Sequence, residues 1–485
     1  MRSYRPLALP SALGTNMGPD AGSRQPLKPD LGAWAESGSG FDPLRPYRDL
    51  VDPVASMLPE KLPDPGQWRH ERVGWGLIVA EPEGVSAADL ASGKDLPEAL
   101  HQLLRERPDA PVLRYRKSFK PSLRLSYLRD WKRGVDVPLD HPPQGVGAGR
   151  LPAYLLIVGS PRDVPWELQF ALNSIRFVGR LDLDEAGLER YVAALLSDWR
   201  REDPSAEQRR RVARRVLVWA VDHGGGDITS LLRQGIALEV HAAVDGDADI
   251  QSRLLDGRRE EATAGKLIEA LAREPAGLVV STSHGFIQAP ADVLASRLGL
   301  PVDQDYRPLD PAELLDAWQP DGAVWYAHAC CSAGSCGGSL YADLFADGAD
   351  IRGTFALLQE AGSLQGALPR ALLSASRPAR AFIGHVEPTF DWTLRHPETR
   401  RRLSTNLVQN ALVSGLLAGD RGVGRAFESW HRQAASLYSR WETARAEASF
   451  GQVEASMLLY LRLAARDVQS TVLLGDPTVR LPVLG

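Results

Sequence analysis

Two short stretches hold the side chains best suited to covalent chemistry. "VVSTSHGF" runs from Val279 to Phe286, and "VWYAHACCSAGSCGGS" from Val324 to Ser339. Each is an apolar run ending in reactive groups: His284-Gly285 in the first, Cys330, Cys331 and then Cys336 in the second. These are the only 3 cysteines of the chain. A thiol with its ordinary pKa of about 8.5 is mostly protonated at neutral pH, and the thiolate is the nucleophile. An imidazole within reach can take that proton and later deliver it to a leaving amine. Gly285 has no side chain, so its N–H is free to approach a developing oxyanion, and the N–H of Cys330 supplies a second donor. Such donors contribute roughly 3–4 kcal/mol each to an acyl-transfer transition state. The small residues after the thiols, Ser332 to Ser335 and then Gly337-Gly338, leave space for a substrate backbone.

These groups act together only if the elements carrying them are neighbours. "GWGLIVAE", "YLLIV" (Tyr154 to Val158), "RVLVWAVD", "ALEVH" (Ala237 to His241), "AGLVVSTSHG", "GAVWYAHACC" and "ARAFIGHVE" read as strands. "EAGLERYVAALLSDW", "AGKLIEALARE" and "DPAELLDAW" carry helical spacing between them. Strands lacking polar alternation and separated by helices predict an α/β fold with a mainly parallel sheet flanked by helices. The texture divides the chain into an irregular N-terminal arm over 1–65, an N-terminal α/β subdomain over 66–205 and a second α/β domain over 206–485. That last domain has a helical C-terminal region. In an open parallel sheet, reactive groups sit just past the carboxyl ends of strands. His284 and Cys330 hold that position one crossover helix apart, so neighbouring strand ends about 5 to 10 Å apart deliver both to one carbonyl.

A strand ending in His-Gly, a crossover, and a strand ending in Ala329-Cys330-Cys331-Ser332-Ala333 resembles the caspase-like cysteine peptidases. That group holds caspases, metacaspases, gingipain-type peptidases and bacterial CHAT domains. "YLLIVGSPRDVPW" with the following "VGRLDLD", and the closing "LLGDPTVRLP", resemble the gingipain-type and CHAT branch, so the likeness touches residues 150–485. It implies a caspase-like fold and an endopeptidase without a cofactor or metal. His284 is then the general acid/base, Cys330 the nucleophile forming a thioester, and the N–H groups of Gly285 and Cys330 the oxyanion donors. It also implies a protein or peptide substrate and a regulated effector role, as in bacterial defence, with an activating partner protein. By position, the first substrate pocket falls to the loop Asp222 to Asp227, to His328 and to His385 through Asp391. Asp227, Glu387 and Asp391 would make that pocket acidic and favour cleavage after Arg or Lys through charge-assisted bonds. Asp227 reads equally well as the N-cap of a helix starting at Ile228.

Other readings stay on the table. Cys331 or Cys336 can replace Cys330 as nucleophile. "GSCGG" (Gly334 to Gly338) and "HGGG" (His223 to Gly226) resemble an esterase elbow and oxyanion loop, but the strand ends near Ala329, too early for the elbow. Zinc held by Cys330, Cys331, Cys336, His328 and His284 lacks a Cys-x-x-Cys pair, and adjacent strand residues point opposite ways. Any one buried cysteine or histidine is ordinary packing, and a catalytically idle scaffold that binds a partner is the non-enzymatic alternative. His385 and Asp476 read as strand-end and turn residues, and Gly159 lacks the spaced glycines and Lys of a phosphate loop. A net charge of −5 gives no general pull toward nucleic acid or anionic membrane. The one dense basic stretch, Arg200 to Arg215, reads as a solvated helical linker. Few, clustered cysteines, no leader pattern and no bilayer-length apolar run lead to the expectation of a cytoplasmic protein.

Overall fold

Among the described residues, twelve strands hydrogen-bond into one sheet. The computed structural model describes residues 12–13, 25–28, 31, 63–118, 124–140, 142–200, 206–288, 290–339, 341–394, 407–418, 421–448 and 453–482. In chain order the strands of the large sheet are β1 Trp75–Ala80, β2 Val112–Tyr115, β3 Tyr127–Asp130, β4 Val135–Pro138, β5 Tyr154–Val158 and β6 Phe177–Leu181. They continue with β7 Arg215–Ala220, β8 Gln251–Asp256, β9 Leu278–Thr282, β10 Val324–His328, β11 Ala381–His385 and β12 Thr471–Gly475. Their order across the sheet is 8-7-9-10-11-12-6-5-1-2-3-4. Eight of the eleven neighbouring pairs are parallel and three, β11–β12, β2–β3 and β3–β4, are antiparallel. The expected α/β architecture, a mostly parallel sheet flanked by helices, is what the chain forms.

The central strands are continuous apolar runs because helices cover both of their faces. Every residue of β9, β10 and β11 is buried. Each fully buried Val or Leu among them contributes about 1.5–3 kcal/mol. The stretches 66–205 and 206–485 share this sheet. The last strand, β12, leaves the C-terminal helices and slots between β11 and β6. Gly179 makes that seam possible, since a Cβ there would lie 1.9 Å from the Gly475 carbonyl oxygen. Two long helices precede β12. Glu428–Ala448 turns Trp430, Ala434, Leu437 and Trp441 inward on one face, and Ala455–Gln469 is buried nearly all round.

One expectation needs correction. Ala237 to His241 is not a strand: a helix spans Leu238–Val244, and the edge strand is β8, further on. An apolar run of that length suits either element, and the real edge strand is half-exposed and therefore carries polar residues. Most of the arm over 1–65 lies outside the described residues. Within it, Ala12–Leu13 pairs with Gln25–Pro26, and Leu27 is buried where it bridges to Phe345. Among the described residues, no helix is long and apolar enough to cross a membrane.

Candidate active site

β9 and β10 run parallel with Thr282 opposite His328, so the chain leaves both strands at the same level. Two residues further on come His284 and Cys330. The backbones touch there: a Cβ on Gly285 would lie 1.9 Å from the Cys330 carbonyl oxygen, so only glycine permits this approach. His284–Gly285 also pairs antiparallel with Pro301–Val302, which fixes the backbone that bears the imidazole. Gly285 stands opposite Pro301, a residue with no N–H to donate.

The imidazole has a carboxylate behind it. His284 Nε2 lies 2.9 Å from Asp227 Oδ2. A carboxylate only accepts, so Nε2 carries the hydrogen, and in the neutral ring Nδ1 keeps the lone pair. That Nδ1 is buried with no hydrogen-bond partner among the described residues. Asp227 Oδ1 meanwhile accepts from the Thr229 N–H at 2.8 Å and its hydroxyl at 2.6 Å, capping the helix Ile228–Leu232. Burial works to raise the Asp227 carboxyl, but the bonds and charge of His284 and the bonds from Thr229 outweigh it and hold the group below its usual range.

The sequence reaches this arrangement through the glycines after β7. Gly224, Gly225 and Gly226 have φ of 72°, 54° and 95°. Three consecutive left-handed residues are strained for anything but glycine. Asp222 anchors the turn, accepting from the Gly224 N–H at 2.9 Å, from the Ser230 hydroxyl and from Arg258 Nε at 2.7 Å. His223 is sandwiched. Its ring stacks on Tyr306 at 4.0 Å and faces His284 at 5.3 Å, with Nε2 donating to the Asp303 carbonyl at 3.0 Å. Burial pushes the His223 imidazole down. Tyr306 itself is 48% exposed and sits at a φ of 61°.

The sulfur is held from the β11 side. The Thr389 N–H points at Cys330 Sγ at 3.1 Å, and the Thr389 carbonyl oxygen lies 3.8 Å from it. Cys331 turns the chain at a φ of 53° and donates its N–H to the Glu387 carbonyl at 3.3 Å. Burial, helped by Cys330 and Glu387, pushes the Cys331 thiol well up. Burial and Glu387 do the same to Cys336, which lies in the two-stranded pair Gly334–Cys336 with Ser363–Gln365. Neither of these thiols is set up to ionise.

The open substrate loop expected after Cys330 is absent: His284 and Cys330 are both 0% exposed. The acidic pocket is not assembled either. Asp227 is committed to His284 and Thr229. Glu387 is buried, bonded to the Ser339 hydroxyl at 2.8 Å, and pushed up to about 7 by burial. His328 is fully buried against Tyr326 and His385. Asp391 is half-buried at the start of the turn Asp391–Leu394. His385 and Asp476 are strand-end and turn residues, as expected from sequence.

Sequence reasoning missed the role of Asp227 as partner of His284, and it missed His223, Tyr306 and Thr389. The legible signal was the "HGGGD" turn immediately after a buried strand; what was hidden was that β7 lies beside β9. His223, Asp227 and His284 also bring donor atoms within 4.8 Å of one another, a set that suits a divalent cation. The direct Asp227–His284 bond needs no ion to hold it, and the cysteine sulfurs are not part of that cluster. No protein-family model, no curated protein and no solved structure matches the chain.

Proposed function

We propose that the chain is a cysteine-type endopeptidase of caspase-like fold, with Asp227, His284 and Cys330 as its reactive row. The observation that carries this is the Asp227–His284 bond, which leaves the lone pair of Nδ1 without a partner among the described residues, on a strand end whose backbone touches that of Cys330. His284 Nδ1 takes the thiol proton, and Cys330 sulfur bonds to the peptide carbonyl carbon. The oxyanion is held by the Gly285 and Cys330 N–H groups. The imidazolium, stabilised by Asp227, returns the proton to the leaving nitrogen as the C–N bond breaks, giving a thioester. Water, activated by the same ring, then releases the acid and restores the thiol. No cofactor enters these steps.

The closed sulfur fits an enzyme that waits for an activating event, such as a partner that lifts the Thr389 segment. A preference for Arg or Lys before the scissile bond is not part of this reading, because Asp227 and Glu387 are engaged inside the protein. The burial of Cys330 is also what favours the second reading, an idle scaffold that binds a partner. Labelling with a peptidyl thiol-reactive electrophile separates the two. The expected result is a single adduct, lost in Cys330→Ala and retained in Cys331→Ala and Cys336→Ala. Labelling that survives Cys330→Ala, or none on prolonged incubation, sinks the peptidase in favour of the scaffold.

A further inference from the structure

A cavity of about 1030 Å³ opens at the opposite end of the sheet, where the parallel strands begin. Trp68, Arg69 and Arg107 form one wall. The connector between the two halves supplies Asp198, Trp199 and Arg200, and then Arg209 and Arg210. Arg380, just before β11, and Arg480, after β12, complete it. Seven arginines thus meet two carboxylates, Glu106 and Asp198, in a chain whose net charge is −5. The dense basic stretch after residue 200 is therefore not only a solvated linker.

Several of these guanidiniums are already fixed. Arg107 pairs with the buried Asp476 at 2.9 Å and lies 4.2 Å over Trp75 and 4.6 Å over Trp68. Arg380 is 3% exposed, pairs with Asp198 at 2.9 Å and lies 4.4 Å over Trp199. Arg69 stacks at 4.0 Å on Trp68. A guanidinium has five N–H donors in a rigid fork, and one carboxylate contact leaves most of them for a ligand. Such pre-set forks match phosphate oxygens in pairs. A second cavity of about 1120 Å³ shares Trp199, Arg200, Arg209 and Arg380 and adds the apolar Leu315 and Trp318.

We propose that this cleft binds a small polyphosphorylated ligand of nucleotide kind. Its phosphates lie among Arg69, Arg107 and Arg210, and its less polar part extends toward Trp318. Arginines already lie over Trp68 and Trp199, which disfavours stacking of successive bases of a nucleic-acid strand on them. The proposal is independent of the peptidase chemistry at the other end of the sheet.

Calorimetric titration of the full chain with ATP and with inorganic tripolyphosphate tests it. The comparison protein is the Arg69→Glu/Arg210→Glu double variant, whose two side chains are not buried. Saturable binding is expected for the wild type, weakened by added salt and about tenfold or more by the double variant. The melting temperature without ligand should match. Absence of saturable binding by either probe at millimolar concentration overturns the proposal, as does equal binding by the double variant. Tighter binding of a single-stranded RNA oligomer than of ATP also overturns it, in favour of a nucleic-acid groove.

Discussion

His284 and His328 follow or end neighbouring strands, and both are fully buried, yet their rings face different surroundings. His284 has Asp227 at 2.9 Å. His328 has the Tyr326 hydroxyl at 2.9 Å and the ring of His385, with centroids 4.4 Å apart. Burial takes the His328 imidazole down to about 3 and, together with His328, pushes His385 well below its ordinary value. A buried ring without a fixed anion is locked neutral and becomes packing. The same ring with a carboxylate behind it has its tautomer fixed, with the hydrogen on Nε2 and the lone pair on Nδ1. A strand's width thus separates an imidazole held by a carboxylate from one that only fills space.

The sharpest way to break that contrast is Asp227→Asn. The Asn carbonyl oxygen can still cap Thr229, so the helix Ile228–Leu232 keeps its start. Its amide, placed where Oδ2 was, donates to Nε2 and forces the hydrogen onto Nδ1. The Nδ1 lone pair that the proposed mechanism uses is then gone. Peptide hydrolysis, and labelling of Cys330 at neutral pH, should fall by about 10²–10⁴-fold with an unchanged far-UV spectrum. Activity within a factor of about two of wild type would mean that Asp227 is only a cap.

A second, smaller effect comes from the silent pair. His328 is neutral inside the fold down to about 3, while in the unfolded chain it titrates at about 6.5. Its contribution is therefore present above that unfolded value and is lost as pH falls below it. Glu387 and Asp467, both raised by burial to about 7, act oppositely: their contribution is lost as pH rises toward 7. The clean readout is the difference between proteins. His328→Phe should shrink the stability lost between pH 7 and pH 5 by about 1–2 kcal/mol, measured by urea unfolding. An unaltered pH dependence would show that His328 is not the neutral ring described here.

Much of this was legible in the sequence, and the gaps have physical causes. His284 and Cys330 could be placed because buried parallel strands are unbroken apolar runs and reactive groups follow their carboxyl ends. Asp227 could be read as a helix cap from Asp227-Ile228 alone, but its contact with His284 depends on β7 lying beside β9, which no local pattern encodes. Glu387 looked like a pocket acid because it follows a strand end. The bond from the Cys331 N–H to its carbonyl turns that segment inward instead. The hairpin β3–β4 was invisible for a simpler reason: "YLRD" and "VDVP" are short, polar strands, β4 at the sheet's edge and β3 next to it. Closure of the site was also out of reach, since it depends on Thr389 and Tyr306, which lie far from Cys330 and His284 along the chain.

The smallest effect isolates access from chemistry. Tyr306 holds a left-handed φ of 61°, a conformation that costs a residue with a Cβ about 1–2 kcal/mol. Its ring offsets that cost by stacking on His223, which in turn faces His284. Tyr306→Gly removes strain and stack together, so the melting temperature should hardly move. With the outer ring gone, water and small electrophiles come one layer closer to His284, and labelling of Cys330 should quicken by about two- to fivefold. If the rate does not change, this aromatic stack is not the barrier. The barrier is then the Thr389 segment, whose N–H holds the sulfur from the other side.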